Sequence, residues 1–94
     1  MDLRTFQETI AATYGERDAA RGLASAMAWL AEETGELVRA LRKGTSREQA
    51  EEFADVLAWL ASLAAMAGID LDEAATTRYG RGCPKCVAMP CRCP

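Results

Sequence analysis

The sequence predicts an all-α chain: an antiparallel helical hairpin that forms a four-helix bundle on oligomerisation, followed by a short cysteine-rich tail. Three observations carry this. Alanine is abundant and β-branched residues are sparse, which favours helix. Apolar residues recur at i, i+3, i+4 and i+7 through two long stretches. Residues able to cap helices stand where those stretches begin and end.

The first helix is expected from Leu3 to Tyr14. Asp2 can accept the free N–H groups of its first turn, and Leu3, Phe6 and Ile10 share one face. Gly15 and the charged run Glu16–Arg17–Asp18 read as a break. The second helix is expected from Ala24 to Lys43, after Gly22. Arg42 and Lys43 suit its negative C-terminal end, and Gly44 closes it. Thr45 opens the third helix with TSRE, a capping box completed by Glu48. That helix runs to about Ala67 and stops at Gly68. Asp70 and Glu73 repeat the capping pattern at the start of a shorter fourth helix, which ends near Tyr79–Gly80. CPKCVAMPCRCP holds three prolines and cannot be regular helix. The chain therefore divides into a helical domain, 1–80, and a tail, 81–94.

The loop KGTS is short, so helices two and three are antiparallel neighbours. Their periodicity predicts a core of Leu23, Met27, Leu30, Leu37, Val38 and Leu41 against Phe53, Val56, Leu57, Leu60, Leu63 and Ala64.

Ninety-four residues make one domain with a limited core. Such a chain needs support from oligomerisation, a metal or disulfides. The net charge of −3 gives no reason to bind a nucleic acid polymer or an anionic membrane. Histidine is absent, which excludes imidazole catalysis, His-containing metal sites and the Glu-x-x-His motifs of di-iron bundles. No stretch is apolar enough to span a bilayer, and Asp2, Arg4 and Glu8 stand where a signal peptide needs an apolar segment. The expected location is the cytoplasm.

The chemistry concentrates on two acid pairs. Glu33 and Glu36 lie three apart on helix two, and Glu52 and Asp55 lie three apart on helix three, so each pair occupies neighbouring turns. Both pairs fall on a shoulder of the apolar stripe, beside Ala26, Trp29 and Ala40 on one helix and Trp59, Leu63 and Met66 on the other. Folding the hairpin about Gly44–Thr45 sets Glu36 level with Glu52, Glu33 with Asp55, and Trp29 with Trp59. Four level carboxylates repel one another unless cations neutralise them. Oxygen-only ligands select hard ions such as Mg²⁺ or Mn²⁺. The competing reading is a solvated acidic surface, but basic partners are missing locally and the shoulder is apolar. The tryptophans suit either packing or stacking on a ligand.

EETGE, fifteen residues and EFAD form an E-E-x-x-E…E-x-x-D pattern. Joined to GEL, DVL and GIDLDEA in the right order, it resembles the MazG-like nucleoside triphosphate pyrophosphohydrolases of the all-α NTP pyrophosphatase group, over most of residues 3–80. The resemblance implies hydrolysis of nucleoside triphosphates between the α and β phosphates, with Glu33, Glu36, Glu52 and Asp55 as Mg²⁺ ligands. It implies that Glu32 supports a ligand or orients the attacking water. It also implies assembly as a homodimer or homotetramer. A lysine or asparagine that meets the nucleotide near the family's last helix is not evident; Arg78, Arg81 and Lys43 are the substitutes available. A helical oligomerisation or regulatory module without catalysis is the alternative.

Cys83 and Cys86 form C-x-x-C, and Cys91 and Cys93 form C-x-C four residues on. Four thiolates complete a tetrahedral Zn²⁺ site with no open position. Disulfides are the alternative, in three possible pairings.

Overall fold

A computed structural model describes all 94 residues. It contains four helices and no strand: α1 Leu3–Arg21, α2 Leu23–Lys43, α3 Ser46–Met66 and α4 Leu71–Tyr79. No single helix is long and apolar enough to cross a membrane.

The caps follow from the sequence. The Asp2 carboxylate accepts the Thr5 N–H at 2.8 Å. The capping box at Thr45 is closed in both directions with Glu48. Asp70 accepts the Glu73 N–H at 3.0 Å, but Glu73 does not return the bond, so only half of the second expected box forms. Gln49 adds a closure that the pattern did not suggest. Its amide donates to the carbonyls of Ala40 and Gly44, at 3.1 and 3.3 Å, across the α2–α3 turn.

The expected break at Gly15–Asp18 does not occur. Helix α1 continues through it to Arg21. A charged run does not end a helix when one of its members has an inward partner, and Asp18 is buried with Arg21 3.5 Å away. The true break is Gly22, whose φ of 91° and ψ of 161° lie in a region essentially reserved for glycine. One residue thus turns the chain from α1 into α2.

Helix α2 packs mainly on α3, α3 also packs on α1, and α4 rests on α1. Gln7 makes the last junction. Buried, it donates to the Ile69 carbonyl at 2.8 Å and accepts the Leu71 N–H at 2.9 Å. Arg4 reaches Asp70 and Asp72 at 3.0 and 3.3 Å across the same junction.

The expected core is met in part: Leu30, Leu37, Val56, Leu63 and Ala64 are half-buried. The buried apolar residues are Ala26, Ala40 and Ala61. Leu23, Met27, Val38 and Leu41 of α2 and Phe53, Leu57 and Leu60 of α3 stay largely exposed. Helices approach closely where side chains are small, so the face called a shoulder in sequence turns inward at Ala26, Ala40, Glu33 and Glu52, while Trp29, Glu36 and Asp55 stay exposed. Helix α1 covers the Ala58–Ser62–Ala65 side of α3. At about 100° per residue, Phe53, Leu57 and Leu60 stand on faces that this side does not include.

Candidate metal centre

The inward turn of the shoulder brings the acids together. Carboxylate oxygens of Glu33, Glu52 and Asp55 lie within 4.8 Å of one another. Glu33 and Glu52 are half-buried and Asp55 is exposed. One oxygen of Glu52, Oε2, is fully buried and has no hydrogen-bond partner. The ion pairs of the chain join Arg4 to Asp70 and Asp72, Arg21 to Asp18, and Arg47 to Glu51. None reaches these three acids. Burial raises the Glu33 carboxyl above its ordinary value, and the charges of Asp55, Glu52 and Glu36 push it further the same way.

A buried, unpartnered carboxylate oxygen within a group of acids is costly unless a cation meets it. The donor set is all oxygen, which fits a hard divalent ion. These residues therefore fit Mg²⁺ or Mn²⁺, and do not fit a soft thiophilic metal.

The fourth expected acid, Glu36, is outside the group of three. It is exposed and lines a groove of about 350 Å³ beside the α2–α3 turn, shared with Glu52, Arg39, Lys43 and Glu48. Glu52 thus belongs to both the triad and the groove, and Lys43 comes to the acid edge. Glu32 is exposed and makes no side-chain hydrogen bond or ion pair. Arg78 lies in a different groove, of about 590 Å³, between α4 and the tail. Arg81 is exposed in the turn after α4.

Trp29 and Trp59 stack with ring centroids 5.8 Å apart and planes inclined by 6°. The Arg21 guanidinium sits 5.2 Å from the Trp59 ring centre. Reading residues 16–18 as a break hid Arg21 and Asp18. The signal was present in their i, i+3 spacing, just before a glycine that turns α2 back beside α1. A small cavity of about 180 Å³, lined by Tyr14, Arg17, Asp18, Arg21, Trp59 and Ser62 among others, adjoins this stack.

The four cysteines form the second group able to hold a metal, at the far end of the chain. They are free thiols. Backbone N–H groups of Cys86 and Lys85 pull Cys83 down to about 6. The neighbouring thiols of Cys91 and Cys83 push Cys93 up to about 11.

A search of curated proteins returned no match. The family model for the MazG nucleotide pyrophosphohydrolase domain matches residues 21–87. The match spans α2, α3 and α4, with all the acids above, and it covers well over half of the chain. This match, over helices that bring Glu33, Glu52 and Asp55 together, places the chain in the MazG nucleotide pyrophosphohydrolase domain family.

Proposed function

We propose that the chain hydrolyses nucleoside triphosphates between the α and β phosphates, releasing a nucleoside monophosphate and pyrophosphate. The single observation that supports this best is the acid triad with its orphaned Glu52 oxygen, which no ion pair reaches. Such a group serves little purpose for stability and suits a site loaded with divalent cation.

Glu33, Glu52 and Asp55 would hold the ion, with Glu36 approaching from the groove. Bound Mg²⁺ or Mn²⁺ supplies charge neutralisation for the triphosphate and acidifies a coordinated water. Lys43, at the rim of the same groove, offers a positive charge to a terminal phosphate. Glu32, exposed beside Glu33 in sequence, is the group available to orient the water that adds across the anhydride. Trp29, Trp59 and Arg21 offer a flat, cationic edge on which a base can stack. Arg78 and Arg81 ride on α4 and its exit, away from the α2–α3 acids, and are weaker candidates for substrate contact.

The working unit is a homodimer or homotetramer. The solvent-accessible surface of 6904 Å² is well above the ~5,300 Å² expected of a compact monomer of this mass. The radius of gyration, 15.3 Å, likewise exceeds the ~12 Å of a compact domain of this length. The stripes of α2 and α3 that α1 leaves uncovered supply the apolar contact for a second hairpin, completing a four-helix bundle.

The test is pyrophosphate release from a panel of ribo- and deoxyribonucleoside triphosphates with Mg²⁺ or Mn²⁺. Turnover of at least one member is expected. Asp55→Asn and Glu36→Gln should each lower kcat at least a hundredfold while circular dichroism still reports a folded helical protein. Absence of turnover across the whole panel would instead leave a helical oligomerisation or regulatory module.

A further inference from the structure

We propose that Cys83, Cys86, Cys91 and Cys93 bind one Zn²⁺ as a closed tetrathiolate that folds the C-terminal segment onto the end of α4. The four sulfurs lie within 4.8 Å of one another, so they form one cluster and not two separate pairs. The two contacts of 3.7 Å, Cys83 to Cys93, and 4.0 Å, Cys86 to Cys91, each join the C-x-x-C turn to the C-x-C turn. With Zn–S bonds of about 2.3 Å, the edge of a tetrahedron of sulfurs is about 3.8 Å.

The backbone is wound to fit. The Val87 N–H donates to the Cys83 carbonyl at 2.8 Å, and the Cys83 N–H donates to the Ala88 carbonyl at 3.0 Å. Val87 adopts φ 56° to close this turn. Gly82 adopts φ 100°, and a Cβ there would meet the Ala88 oxygen at 2.7 Å. Two sulfurs also accept backbone N–H groups, Cys86 from Arg92 at 3.2 Å and Cys91 from Cys93 at 3.4 Å. Such donors stabilise thiolates, the form that binds metal.

Charge and burial agree. Residues 74–94 hold Arg78, Arg81, Lys85 and Arg92 and no acid, so a tetrathiolate zinc centre, net −2, sits in a basic segment. None of residues 81–94 is buried, so the segment has no apolar core of its own to order it. With all four positions taken by protein, the ion has no open site for catalysis. The family match ends at Val87, between the two cysteine pairs, and Cys91 and Cys93 lie beyond it.

Elemental analysis of the full chain purified under reducing conditions should find one zinc per chain. The four thiols should resist a thiol reagent until a strong chelator strips the metal. Replacement by Co²⁺ should give the visible bands of tetrahedral thiolate coordination. Cys91→Ser and Cys83→Ser should lose both the zinc and the cobalt spectrum while the helical circular dichroism persists. Iron in place of zinc, a metal-free chain whose thiols are free and reactive or joined in disulfides, or zinc retained by both variants would each overturn the proposal. These readouts do not depend on nucleotide hydrolysis, so they stand or fall separately from the activity proposed above.

Discussion

Glu33 shows how one side chain can be costly to the fold and useful to the site. Burial and the charges of Asp55, Glu52 and Glu36 raise its carboxyl above the ordinary 4.5. Its folded pKa therefore exceeds its unfolded one, and the native chain binds the extra proton. The stability it contributes is fully present below about 4.5 and is lost as pH rises through the folded value. Asp2, Glu48 and Asp70 have the opposite sign. N–H groups of Thr5, Thr45 and Glu73 hold them below their usual range, so their stability is present above it and is lost as pH falls. Glu33→Gln should raise the melting temperature of the metal-free protein above pH 5 and flatten its decline with pH. The same variant should lose most of the thermal stabilisation that Mg²⁺ or Mn²⁺ gives the native protein. Thermal melts with and without metal across pH 4–8 check both; an unchanged metal response would remove Glu33 from the ligand set. Gly35 lies beside these acids in sequence and is exposed. A Cβ there would meet nothing within 4 Å.

At the scale of the elements, two glycines have opposite consequences. Gly15 lies inside α1, and a Cβ there also meets nothing within 4 Å. Gly15→Ala should stabilise the protein by about 1 kcal/mol, through helix propensity alone. Gly22 joins α1 to α2 at φ 91°. Gly22→Ala should cost about 1–3 kcal/mol, because an L side chain is strained there. Chemical denaturation of the two variants separates these outcomes, and equal effects would mean that the α1–α2 junction is not the single-residue turn described. The periodic stretches and their caps were legible because local hydrogen bonding and propensity decide them. The end of α1 was not, because Asp18 is retained in the helix by burial and by Arg21, a partner invisible to a rule that counts charges.

Across the whole molecule, the proposed assembly rests on the apolar face that the hairpin leaves uncovered. Leu57 stands on α3 outside the side that α1 covers, and it is exposed in the single chain. Leu57→Asp should shift the native mass, measured by light scattering after size-exclusion chromatography, from an oligomer to a 10.2 kDa monomer. A native protein already monomeric at micromolar concentration would refute the bundle. The level match of Glu33 with Asp55 and of Trp29 with Trp59 was readable from a short turn, and both pairs meet in the folded chain. The match of Glu36 with Glu52 was readable only in part. The two acids share a groove, but Glu36 stays outside the triad.

The sequence by itself determined α2, α3 and α4, the antiparallel hairpin and the turn register that sets Glu33 level with Asp55. These follow from spacing, capping and loop length, which are local. Only the tertiary structure decided which face turns inward. Periodicity marks an apolar stripe but does not say whether it meets the same chain or another. Close packing through Ala26, Ala40 and Ala61 gave the inner face to small residues and left Leu23, Met27, Val38, Leu41, Phe53, Leu57 and Leu60 outside. That choice half-buries Glu33 and Glu52, leaves one Glu52 oxygen without a partner, and so turns an acidic pattern into the cluster on which the proposed cation site rests.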